Sequence, residues 1–152
     1  MKSRIDEAER LFKSGYNCSQ AVFVTYADLF QIDRDTAMKL SSPFGAGFGK
    51  LREVCGAVSG MTMLSGLATG TTDAADREGK IANYHMVQEM AEAFREKEGT
   101  IICRELLNLK PGEDLAEPSV RTEEYYNSRP CVRLVRTAAE IIESVILKEE
   151  FK

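Results

Sequence analysis

The chain has 152 residues, 43% of them hydrophobic and 29% charged, with a net charge of −4 at pH 7. That length can bury a core without disulfide staples, and the acidic balance excludes a general pull toward nucleic acid or anionic membrane. The amino-terminal MKSRIDEAERLF is charged throughout, without the apolar core of a signal peptide, and no run of about 20 apolar residues could span a bilayer. A cytoplasmic location is therefore expected, where thiols are kept reduced.

The elements read as helix after helix. Residues 4 to 13 place Ile5, Ala8, Leu11 and Phe12 on one face, with Ser3 as N-cap and Gly15 as the stop. Asn17 opens a second helix, to about Phe30, with Gln20 in capping-box position. Asp33 caps a third that ends before Pro43 and the FGAGFG loop.

Leu51 to Leu67 is apolar on every side and is expected to be the buried central helix, rich in Gly, Ala and Met. Asp73 caps a long helix to Glu98 that buries Ala75, Ala82, Met86, Met90, Ala93 and Phe94, with Gly99 as its stop. Thr100 starts a short helix to Asn108. Residues 111 to 128 read as irregular loop. Pro130, at the favoured first position, begins the last helix, with Val132, Val135, Ala139, Ile142 and Ile146 on its face. There is no strand period, repeat or linker. The fold class is all-α: a single-domain bundle over 1–152, of about six or seven helices.

The four cysteines fall at informative places on that map. Cys18 follows the cap Asn17, Cys103 lies just after Thr100, and Cys131 follows Pro130. Cys55 lies early in the central segment. Helix starts carry partial positive charge and unpaired N–H groups, which favour thiolate over thiol. A thiolate is both the redox nucleophile and the ligand for soft metals.

Gly56 and Gly60, one turn apart beside Cys55, strip one helix face of side chains so that backbone, a helix or an inorganic group can approach. No C-x-x-C is present, which argues against a thioredoxin-like site or an ordinary zinc ribbon. Any shared site must be assembled by tertiary folding. Buried, inert cysteines are the plain alternative.

Cys18 in GYNCSQAV, Cys55–Gly60 as CGAVSG (with Ala57 at its third position), Cys103 in IICREL and Cys131 in RPCVRLV, in that order, resemble the C_GCAxxG_C_C family of redox-active proteins. The resemblance implies a small helical protein whose four cysteines act in redox or metal chemistry. A similar four-cysteine domain is associated with an iron–sulfur cluster in split-Soret cytochromes. This chain lacks C-x-x-C-H, so haem is not implied.

An iron–sulfur cluster on Cys18, Cys55, Cys103 and Cys131, for electron transfer or redox sensing with a partner protein, is the leading expectation. A metal-free thiol–disulfide protein, with no preferred pairing, and a structural zinc site on the same four cysteines are the alternatives. Asn17 and Tyr16 flank Cys18 and can hydrogen-bond a cluster sulfur, although capping is the simpler role for Asn17. Arg129, Arg133 and Arg136 can favour the Cys131 thiolate or a partner, the outer two reading as a solvated face. His85 and the methionines are assigned to packing or solvent. The small-residue face and the apolar last helix allow a homodimer.

Overall fold

The computed structural model describes residues 1–110 and 118–151. Within these the chain is all-α. The helices are α1 (Ile5–Lys13), α2 (Cys18–Ala27), α3 (Arg34–Ser41), α4 (Gly56–Thr69), α5 (Arg77–Glu98), α6 (Cys103–Leu106), α7 (Glu123–Ser128) and α8 (Cys131–Ile141). A π-helical stretch, Ile142–Ile146, continues α8. No described helix is long and apolar enough to cross a membrane.

The sequence signals at the first three helices act as expected, with one exception. Asn17 accepts from the Gln20 N–H at 2.9 Å, and the Gln20 side chain accepts from the Asn17 N–H at 3.1 Å, completing the capping box of α2. Asp33 caps α3 through the Thr36 N–H at 3.0 Å. The N-cap position of α1 is Arg4, whose side chain makes no cap bond, while the Ser3 Oγ one residue earlier accepts from the Ile5 N–H at 3.4 Å. The Arg4 N–H and the Tyr26 hydroxyl both donate to Glu143 Oε2, at 2.8 and 2.6 Å. This buried carboxylate ties the first helix to the last.

The helix buried all round is α2, not the expected central segment. Every residue from Ala21 to Ala27 is buried, and α2 packs against α1, α3, α4 and α8. Its closest crossing is with α4. A Cβ at Gly60 would lie 3.0 Å from the Ser19 carbonyl oxygen and 3.1 Å from Val22, so the small residue sets the interhelical distance.

Helix α4 begins only at Gly56, and its last turn is exposed at Gly66, Leu67 and Ala68. The residues just before it instead pair antiparallel with the stretch that enters α6, Val54 opposite Ile102, while Arg52 ahead of them is left-handed at φ +61°. So short a pairing gives no period-2 signal.

The long helix starts later than expected. Asp76 caps it through the Gly79 N–H, while Asp73 makes a turn to the Ala75 N–H. Ala75 and Ala82 are consequently exposed, because the first half of α5 runs beyond the core that buries Met90 and Phe94. Gly99 ends it at φ +92°, as expected.

The helix expected from Thr100 is the single turn α6. Part of the expected loop is helix α7, capped by Thr122 through the Tyr125 N–H at 3.1 Å. Residues 111–117 of that loop lie outside the described residues. Pro130 is the N-cap of α8 and Cys131 its first residue.

Candidate functional site

Each cysteine sits where a helix begins. Cys18, Cys103 and Cys131 are the first residues of α2, α6 and α8, and Cys55 is the N-cap of α4. Side chains of all four line one cavity of about 380 Å³. Cys55 and Cys103 are 3% and 7% exposed, and Cys18 and Cys131 are half-buried. All four are free thiols.

Backbone pairing places Cys55 beside Cys103. The Cys55 N–H donates to the Ile101 carbonyl at 2.7 Å, and the Cys103 N–H donates to the Glu53 carbonyl at 2.6 Å. Between α3 and this pairing the chain makes a left-handed turn. Ala46, Gly47, Phe48, Gly49 and Lys50 all have φ between 55° and 75°. For L residues this region costs roughly 1–2 kcal/mol each. The turn closes through Lys50 N–H to Gly45 O, Arg52 N–H to Ala46 O and Glu53 N–H to Gly47 O. At Gly47 a Cβ would lie 2.6 Å from the Cys103 Cβ, so glycine there meets both a positive φ and a crowded wall.

Gly56 has a different reason. A Cβ on it would lie 2.5 Å from Cys18 Sγ, with the Phe44 carbonyl oxygen at 3.0 Å and the Ser19 nitrogen at 3.2 Å. The glycine is the space that the Cys18 sulfur occupies. Its neighbour Ala57 is fully buried in the core.

The four sulfurs have unlike electrostatics. The Cys55 thiol donates a hydrogen bond to Cys18, and the N–H groups of Ala46, Ser19 and Cys18 itself add to it, holding Cys18 down at about 6 against the opposing effect of burial. Successive N–H groups around a left-handed turn form the kind of nest that favours an anion. Cys55, the donor, is pushed well up by that bond and by burial. Burial also raises Cys103, opposed by the Arg52 guanidinium, whose Nη1 lies 3.6 Å from its sulfur. Cys131 is pushed up to about 12, first by burial and then by the negative charge of Cys18 and Cys103.

The cavity wall completes the site. Arg52, only 4% exposed, Arg121, Arg129 and Lys50 line it together with Asn17, Gln20, Tyr125 and Ser119. No Asp or Glu is among the described lining residues. Asn17 is occupied as a cap and through its Nδ2, which donates to the Ser42 carbonyl at 3.0 Å. Tyr16 offers its carbonyl to Arg121 at 2.9 Å.

Of the three arginines near Cys131, only Arg129 faces the cavity. Arg133 pairs with Glu98 at 2.7 Å, and Arg136 pairs with Asp6 and Glu9. His85 is exposed on α5 and does not line the cavity. FGAGFG does pass the site, touching Cys18 and Cys103 as well as the approach to Cys55. Sequence reasoning missed Arg52, Arg121 and Tyr125, since isolated residues in loop or short helix carry no periodic signal.

A family model described as "Putative redox-active protein (C_GCAxxG_C_C)" matches residues 16–145, which includes all four cysteines. The chain belongs to the C_GCAxxG_C_C family. No match was found among curated proteins or solved structures. Family membership makes this a four-cysteine protein of redox type, and the cavity is where its cysteines meet.

Four thiols around one cavity, with basic residues and N–H donors beside them, are the donor types that an iron–sulfur cluster or a zinc ion takes.

Proposed function

We propose that Cys18, Cys55, Cys103 and Cys131 bind an iron–sulfur cluster, and that the protein serves in electron transfer or redox sensing with a partner protein. The observation that carries this reading is the convergence of four helix-start cysteines on one cavity. When bound, the cluster supplies one-electron chemistry. The chain's own residues do the rest. The N–H of Ala46 and the guanidinium of Arg52 face sulfurs and favour their charged forms. Cys55 and Cys103 are kept from water, and Gly56 and Gly47 leave the walls close enough to reach them.

Protein purified without oxygen should show broad visible absorption that bleaches on reduction, with stoichiometric iron and little zinc. Colourless protein that takes up no iron on anaerobic reconstitution would end this reading.

One observation favours a second reading. The Cys55 thiol is hydrogen-bonded to a Cys18 thiolate, so the pair is already in contact. Oxidation by a partner disulfide would join the two sulfurs: the Cys18 thiolate and Cys55 thiol give up one proton and two electrons, and the partner disulfide becomes a thiol and a thiolate. Mass spectrometry of iron-free protein after mild oxidation should then find Cys18 linked to Cys55. A different linkage would count against the pair.

A further inference from the structure

The cavity has more in it than four sulfurs need. Its volume, about 380 Å³, lies in the range of small-molecule pockets. The charged side chains among its described lining residues are all cationic, in a chain whose net charge is −4. Lys50 and Arg52 are already engaged, and the pair of interest is Arg121 and Arg129.

Two of these cations flank α7 in the chain, and both stack on one ring. The Arg121 guanidinium lies 5.0 Å from the Tyr125 centroid and the Arg129 guanidinium 4.9 Å from it. Arg121 is held firmly: it donates to the carbonyls of Phe12 at 3.0 Å and Tyr16 at 2.9 Å and lies 4.4 Å over the Phe12 ring. Carbonyls and rings orient a guanidinium without neutralising it. Arg129 is simpler. Among the described residues its guanidinium stacks on Tyr125 and meets no carboxylate. A half-buried guanidinium gains from an anion placed beside it. Planar, pre-oriented guanidinium groups are suited to phosphate and carboxylate oxygens.

We propose that this cavity binds a small, multiply charged oxyanion, carrying phosphate or carboxylate groups, at Arg121 and Arg129 beside the cysteines. The bound anion lies within reach of the redox centre, so it is either that centre's small substrate or the ligand that reports to it. The inference rests on the cavity wall and holds whether the cysteines carry a cluster or form a disulfide.

The test uses reduced, iron-free protein with pyrophosphate and citrate as separate probes, followed by calorimetry and by tyrosine emission, which no tryptophan obscures. Wild type should bind one of them saturably, more weakly at high salt. Arg129→Gln should weaken binding about tenfold or more, the scale of one charge-assisted hydrogen bond. Arg133→Gln, whose arginine pairs with Glu98 instead, should leave binding unchanged.

Binding of pyrophosphate alone identifies a phosphate ligand, and binding of citrate alone a carboxylate one. Absence of saturable binding for both, or equal affinity in wild type and Arg129→Gln, overturns the proposal. Iron content is measured on separate, anaerobic samples, so failure of the cluster reading would show there and not here.

Discussion

Two glycines of one helix should respond to the same substitution with opposite signs. At Gly56 an added methyl would lie 2.5 Å from Cys18 Sγ and 3.0 Å from the Phe44 carbonyl oxygen. The sulfur belongs to the first residue of a capped helix and the oxygen is backbone, so neither yields cheaply. Forcing a methyl into such a packed contact costs about 1–3 kcal/mol. The helix-propensity gain of alanine, up to about 1 kcal/mol, offsets only part of it.

At Gly66 the same methyl meets nothing within 4 Å and the position is exposed, so Gly66→Ala should stabilise by about 0.5–1 kcal/mol. For a domain of this size 1 kcal/mol moves the melting temperature by about 2–4 °C. Thermal melts of the reduced, iron-free protein should therefore show Gly56→Ala below wild type and Gly66→Ala above it. Gly56→Ala also pushes Cys18 away from its donor. The pH midpoint for alkylation of Cys18 should rise from about 6 toward the ordinary 9.0. If Gly56→Ala melts as high as Gly66→Ala and keeps the Cys18 midpoint, the contact of Gly56 with Cys18 is not what the glycine is for.

Stability of the same protein should depend on pH in a way its thiols dictate. Cys18 is held at about 6 against an ordinary 9.0, so between those values the unfolded chain binds more protons and stability rises with pH. Cys131, pushed up to about 12, keeps its proton in the fold where the unfolded chain has lost it, so stability falls as pH climbs from 9 to 12. Denaturant melts should thus peak near pH 9, and a Cys18→Ser variant should lose the rise between 6 and 9; a rise preserved in that variant would refute the assignment. Arg52→Met removes the guanidinium 3.6 Å from Cys103, so alkylation of Cys103 at fixed pH should slow several-fold, and an unchanged rate would show that Arg52 does not support its thiolate. Tyr26→Phe leaves the buried Glu143 with one donor fewer and should cost about 1–3 kcal/mol in urea melts while the Cys18 midpoint stays at about 6. A shift of that midpoint would mean the two ends of the molecule are coupled.

What the sequence made legible was local chemistry. Asn17 and Gln20 announce the start of α2, and with it the place of Cys18, because a capping box is a reciprocal bond between neighbours. Pro130 does the same for Cys131. Cys55 as an N-cap was hidden, because the apolar run after it lets the helix be read from Leu51 onward, while the Cys55 N–H bonds to Ile101. That pairing joins segments far apart in the chain, and no local pattern encodes it. Asp73 and Asp76 are equally good caps on paper. Only the fold decides which one has a helix after it.

The cationic wall was invisible for a similar reason. Arg52, Arg121 and Arg129 belong to separate stretches and look like ordinary surface charge until they meet across the cavity. The membership of Cys103 and Cys131 in one site was read from family resemblance, and the structure supplies the common cavity.

The left-handed turn from Ala46 to Lys50 gives the site an unequal set of walls. Helices α2, α4 and α8 are anchored in the core, whereas the turn holds non-glycine residues in a conformation they resist and leaves Phe48 53% exposed. Segments with strain and little burial open at the lowest free energy, well before the fold as a whole. Hydrogen exchange should accordingly be fastest at this wall of the cavity. Opened, it would release the Ala46 N–H from Cys18 and uncover the back of Cys103 in a single movement. The turn that holds the anionic sulfur in place should thus also set how readily solvent reaches it.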